Sequence, residues 1–194
     1  MLFDFSFQSA LVKYRLLSNT ITPRPIAWVA STSTSGIVNL APFSFFGVVS
    51  SNPPIFSICL STKSDGSPKD TLQNIIATKK ATLNLVMVDF LPKLEQTAKE
   101  LDADKSEASV FDISLKLIDN DYPPIAEGVR VAHFCDLYDV LDFGGTEKTL
   151  LLEAKSCYVD DEIYRDDLRF MPPHLGRVGK YYLQVSELID PNIT

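Results

Sequence analysis

Prolines cut the first third of the chain into short pieces. Pro23 and Pro25 flank Arg24, Pro42 interrupts an apolar run, and Pro53 and Pro54 stand directly before another. Proline fixes φ and lacks an N–H, so a run with proline inside it cannot be a central strand. The runs beside these prolines read as short strands. Residues 26–30 are rich in strand formers, 31–36 form a polar turn, and 37–40 resume the strand pattern, which together signal a hairpin. The strand that reaches Pro42 must stop, bulge or lie at a sheet edge. Residues 55–60 read as a compact buried strand.

Ser67 as cap, Pro68 as first helical residue and Asp70 three places after the cap predict a helix reaching Lys79. Asp70 is an alternative cap for a helix starting one turn later. Residues 81–88 alternate as a strand, 89–101 read as a second helix, and 102–109 as a polar surface loop. Further strand candidates are 113–118, 129–143, 149–158 and 181–185. Many strands with two short helices predict a mainly β chain, a closed or partly closed barrel, with residues 1–194 forming a single domain.

Eighteen Lys and Arg against 25 Asp and Glu give a net charge of −7. Such a chain lacks the broad basic footprint that nucleic acid or an anionic membrane selects, so neither is expected as a partner. Residues 1–7 carry no cation ahead of an apolar run, and no stretch approaches a membrane span. Cys59, Cys135 and Cys157 are odd in number and far apart, which predicts buried reduced thiols and a cytoplasmic protein. His133 and Cys135 form an isolated His-x-Cys without a second ligand pair, so no metal is expected. No nucleophile elbow, phosphate loop or dinucleotide fingerprint is present.

Three segments share one explanation. Around Arg24 the flanking prolines hold a cation in a fixed place. In residues 39–46, Pro42 frees neighbouring backbone groups from ladder pairing, where they can bond the edge of a planar heterocycle, and Asn39 and Ser44 add side-chain donors and acceptors. In residues 61–71, hydroxyls, two lysines and a helix N-terminus converge as they would around a phosphate, with Lys69 as counter-charge and Ser61 and Thr71 as donors. Taken singly, the same segments also read as a rigid turn, a core aromatic cluster and a capped surface loop.

The words ITPRPIAWVAST (21–32), NLAPFSFF (39–46), NPPIFSICLS (52–61), KDTLQNI (69–75) and HLGRVGKYY (174–182) resemble the flavin reductase-like, FMN-binding split-barrel family. The resemblance implies a six-stranded Greek-key split barrel and a homodimer with FMN near its interface. It implies that Asn39, Leu40, Ala41, Pro42, Phe43 and Ser44 line the ring and ribityl chain, and that Ser61, Lys69, Asp70 and Thr71 surround the phosphate, with Asp70 as a helix cap. Arg24 and Thr32 are further cofactor candidates. Arg177 either reaches the cofactor or holds the interface. No side chain is an obligate catalyst, and His174, after Met171, Pro172 and Pro173, is either a proton donor or a packing residue. The implied activity is NADH- or NADPH-dependent flavin reduction, with electrons passed to an acceptor or an oxygenase component. The alternative is a flavoredoxin-like electron carrier that never meets nicotinamide.

Overall fold

The computed structural model describes residues 1–168 and 174–184. After a 3-10 turn at Phe5–Phe7, Ser9 caps helix α1 (Ala10–Thr20), its hydroxyl accepting the Val12 N–H at 3.4 Å. The sequence does not announce this helix. Only Ser18 on it is buried, and Leu11, Tyr14 and Leu17 are exposed, so it has no core-facing stripe in the single chain.

The strands begin with β1 (Arg24–Pro25), β2 (Ala27–Thr32), β3 (Val38–Phe43), β4 (Phe46–Ser51) and β5 (Pro54–Leu60). Helix α2 (Asp70–Thr78) leads into β6 (Lys80–Leu85), then α3 (Leu91–Gln96), α4 (Glu107–Val110), β7 (Leu115–Lys116) and β8 (Ile125–Ala126). The long pair β9 (Val131–Asp142) and β10 (Lys148–Val159) follows, then the hairpin β11 (Leu175–Val178) and β12 (Tyr181–Gln184). Val185, the last residue of the expected final strand, lies outside the described residues.

The principal sheet is antiparallel in the order β3-β2-β6-β9-β10-β5-β4. Its two edges, β3 and β4, are separated in sequence only by Ser44 and Phe45. Three Cα steps span at most about 11 Å, so the sheet must curl until its edges nearly meet. The Phe45 carbonyl accepts the Cys59 N–H at 2.9 Å and so continues the β4–β5 pairing into the linker. The architecture is the expected one, mainly β with short helices and a split barrel. The sheet has seven strands where six were implied, because β4 folds back on β5 as a hairpin and adds a strand at that edge. Pro42 takes the edge position, one of the three places open to it.

Strand β2 is buried on both faces. Ala27 and Val29 point into the barrel with Phe43, Ile58, Leu83 and Leu152. Ile26, Trp28 and Ala30 point outward into a second core with Leu40, Leu94, Ala108 and Ile125. Two-sided burial explains why residues 26–30 read as one apolar run and not as an alternation.

Other expectations shift locally. The second helix is a 3-10 turn at Val88–Phe90 followed by α3, which ends at Gln96, where the Thr97 hydroxyl donates to the Leu94 carbonyl at 3.0 Å. Residues 102–109 include α4, with Glu107 buried. Only Leu115–Lys116 of the predicted 113–118 strand pairs, with β8. A three-stranded sheet joins β1, β11 and β12. Within it Gly176 faces Pro25, and a Cβ at Gly176 would lie 2.5 Å from the Pro23 Cβ, so glycine is what lets the closing hairpin approach. The three thiols are free, as expected, but not all buried: Cys157 is exposed where β10 runs past the core.

Candidate functional site

The loop after β5 is a closed turn. The Lys63 N–H donates to the Ser67 carbonyl at 2.8 Å, and the Asp65 carboxylate accepts both the N–H and the hydroxyl of Ser67, at 2.8 and 2.6 Å. Gly66 holds a positive φ of 85° at the bend. These bonds consume Ser67, so it does not cap α2 as predicted. The helix starts at Asp70, with Lys69 in the cap position and no side chain capping it. Asp70 sits in the first turn and is ion-paired to Lys63 at 2.7 Å. Lys69 reaches Glu100 at 3.5 Å. Glu100 also accepts the Ser64 N–H and hydroxyl, which hold its carboxyl below the usual value.

This corner faces the edge strand. Thr71, buried in the first turn of α2, accepts a hydrogen bond from the Asn39 side-chain amide at 2.9 Å. Asn39, Ala41, Pro42, Phe43, Lys63, Lys69, Asp70 and Thr71 line one cavity of about 80 Å³, walled on its other side by residues 97–101. Residues more than thirty positions apart are thus brought together as the segment reading expected.

The free edge of β3 supplies the backbone groups. The Leu40 N–H points away from β2 and donates to the Glu107 carboxylate at 2.9 Å. Residues two apart in a strand point the same way, so the N–H that Pro42 lacks would also have faced the open edge. The carbonyls of Leu40 and Pro42 share that direction. Leu40 as a whole is fully buried in the outer core and lines neither chamber, so of the two it is Pro42 that meets the cleft. Phe43 is 8% exposed and packs inside the barrel.

Glu107 is the site residue the sequence hid. It is 5% exposed, lines the cavity, and burial raises its pKa. In DADKSEAS it is one acid among several in a polar run, with no periodicity to mark it as buried. An acid whose folded pKa is raised loses stability as pH climbs from its unfolded value to its folded one. Glu107→Gln keeps an acceptor for Leu40 without the charge. Urea unfolding should find it gaining on the unaltered protein between pH 4.5 and pH 7.5. Glu107→Ala orphans the Leu40 N–H and should lose about 1–3 kcal/mol at both.

A second chamber of about 250 Å³ continues the cleft, sharing Pro42, Phe43 and Ala98 and adding Tyr14, Ser44, Glu95, Arg177 and Tyr182. Arg177 bonds Glu95 at 3.1 Å, stacks 4.3 Å from the centroid of the Tyr182 ring, and donates from Nε to the Gly179 carbonyl at 3.1 Å. The Tyr182 hydroxyl also donates to Glu95, and that bond together with Arg177 holds the Glu95 carboxyl low. Arg24 is turned to a different use. It is buried, with Nη1 donating to the Ser18 and Ile21 carbonyls at the end of α1 and Nη2 3.4 Å from Ser44 Oγ. Thr32 and Ser61 line neither chamber, and His174 lies in a separate cavity.

The donor set suits the phosphate and the ring of a flavin. Two ammonium groups, a hydroxyl and an uncapped helix start gather at one end, and a proline-interrupted strand edge with outward carbonyls lies at the other. Known proteins agree on the class. The "Flavin reductase like domain" profile matches residues 19–179. The uncharacterized protein YwrF of Bacillus subtilis is 32% identical over 200 residues, covering 95% of this chain and 96% of its own. Among solved structures, 2-nitrobenzoate 2-nitroreductase NbaA of Pseudomonas fluorescens superposes with a TM-score of 0.87 at 26% identity, covering 100% of this chain and 98% of its own. Nitrilotriacetate monooxygenase component B of Bacillus cereus gives 0.88 at 23%, with 98% of each chain covered. By its sequence and its split barrel, the chain belongs to the flavin reductase-like family.

Proposed function

We propose that the chain binds FMN in this cleft and acts as an NADH- or NADPH-dependent flavin reductase. The observation that carries the reading is one continuous cleft with Lys69, Thr71 and the start of α2 at one end and the open edge of β3 at the other. Lys69 neutralises a phosphate, and the Thr71 hydroxyl, already fixed by Asn39, is positioned to donate to it. The outward carbonyl of Pro42 accepts from the N–H edge of the ring, while Pro42 and Phe43 shield it from water. Bound flavin supplies the two-electron redox chemistry. The protein's part is to hold, orient and exclude.

Exposed Leu11, Tyr14 and Leu17 on α1 and Val48 and Val49 on β4 support a homodimer. Three unbonded cysteines suit a reducing cytoplasm. Similarity to a monooxygenase component supports an oxygenase partner.

The test is the visible spectrum of the purified, FMN-loaded protein under anaerobic titration with NADH and with NADPH. Rapid bleaching by either donor is expected. Colour that persists with both would replace the reductase reading with that of an electron carrier.

A further inference from the structure

Among the described residues, the acids along the cleft are paired with cations in all cases but one. Asp70 pairs with Lys63, Glu100 with Lys69 and Glu95 with Arg177. Glu107 lines the cavity at 5% exposure, and no ion pair among the described residues holds it. A buried acid without a cation costs stability. As a brace for β3 its charge is superfluous, because a carboxamide oxygen would accept the Leu40 N–H equally well. Asp70 and Lys63 act on Glu107 through space, which puts its carboxyl group toward the charged corner of the cavity that all three line.

Strand β3 sets the height of Glu107 in the cleft. Its Oε2 accepts the Leu40 N–H at 2.9 Å. On one side of Leu40, Asn39 bonds Thr71 at the phosphate end. On the other, Pro42 meets both chambers at the ring end. A strand rises about 3.4 Å per residue, so Asn39 to Pro42 spans about 10 Å, and Glu107 stands within that interval. The group beside it must be neutral, since a carboxylate repels phosphate. A hydroxyl meets this condition. It donates to the ionised acid and accepts from the protonated one. In a flavin nucleotide the segment between phosphate and ring is the ribityl chain, which carries hydroxyls.

We infer that Glu107 is a flavin-binding residue that hydrogen-bonds the ribityl hydroxyls, so that the cleft selects a flavin carrying its polyol over the bare ring. The inference rests on the flavin reading of the cleft and supplies the contact between its two ends.

The test titrates riboflavin and lumiflavin, in which a methyl group replaces the ribityl chain, into the full-length protein and into Glu107→Gln. Neither ligand carries a phosphate, and the variant keeps an acceptor for Leu40. Glu107→Gln should weaken riboflavin about five- to tenfold, the difference between a charge-assisted and a neutral hydrogen bond, and leave lumiflavin within about twofold of its original affinity. A purely structural role, exerted through β3, would move both ligands alike. In protein labelled with 13C-glutamate, the carboxyl resonance that Glu107→Gln removes should shift with riboflavin and much less with lumiflavin. Equal losses for the two ligands, or no loss for either, overturns the inference while Lys69-dependent FMN binding still upholds the cleft. FMN binding indifferent to Lys69 overturns the flavin reading, and the inference with it.

Discussion

Lys69→Ala should weaken FMN binding roughly tenfold to over a hundredfold and leave riboflavin binding nearly unchanged. The two ligands differ by the phosphate. A charge-assisted contact is worth about 1.5–3 kcal/mol, which converts to that range of affinity. Lys69 is suited to the task because it stands at the cap position of α2, where the backbone holds its stem, and because no capping side chain competes for the first-turn N–H groups. Without ligand its ammonium faces Glu100 at 3.5 Å. A phosphate must draw it from that partner, so Glu100→Gln should shift FMN affinity in the opposite direction. Fluorescence titration of FMN and riboflavin against each variant measures both effects. Equal losses for the two flavins with Lys69→Ala would place the phosphate elsewhere.

Trp28→Ala should lower the unfolding free energy by about 3–5 kcal/mol. Trp28 is fully buried in the outer core, between β2 and α3, with its ring tilted against Phe90 at a centroid distance of 5.7 Å. Its indole N–H donates to Thr97 Oγ1 at 2.9 Å. Thr97 begins the 97–101 segment that walls the cavity at the start of α2, so this one side chain ties the barrel to the candidate site. Trp28→Phe keeps most of the buried surface and drops the hydrogen bond. It should lose less stability than the alanine variant and still weaken FMN. Urea unfolding with an unchanged m-value checks the first claim and the FMN titration the second. A destabilised Trp28→Phe with native FMN affinity would detach the 97–101 wall from binding.

Much of this was legible in the residues. Pro42 left three options, and the topology took the one that needs no ladder N–H from it. The signals that paired the 61–71 loop with the 39–44 edge are local: hydroxyls and lysines before a helix, and a proline inside a strand; Lys63, Lys69, Asp70 and Thr71 do line one cavity with Asn39, Ala41, Pro42 and Phe43, while Ser61 does not. What stayed hidden depends on contacts made at long range. Ser67 looked like a cap until Asp65 claimed its hydroxyl. Arg24 looked like a ligand group, yet it is buried against the carbonyls at the end of α1, a helix with no apolar stripe to reveal it. Glu107 became a wall of the cleft only because α4 packs on the free edge of β3, 67 residues away in sequence.

The central claim is that the start of α2 holds a phosphate while the open edge of β3 holds a ring. A crystal structure of the protein soaked in FMN tests it most directly. The account predicts phosphate oxygens within hydrogen-bond distance of Lys69 Nζ and Thr71 Oγ1, with the ring along Asn39 to Ser44. A phosphate found away from α2, or a ring seated in the separate cavity beside His174, would contradict it.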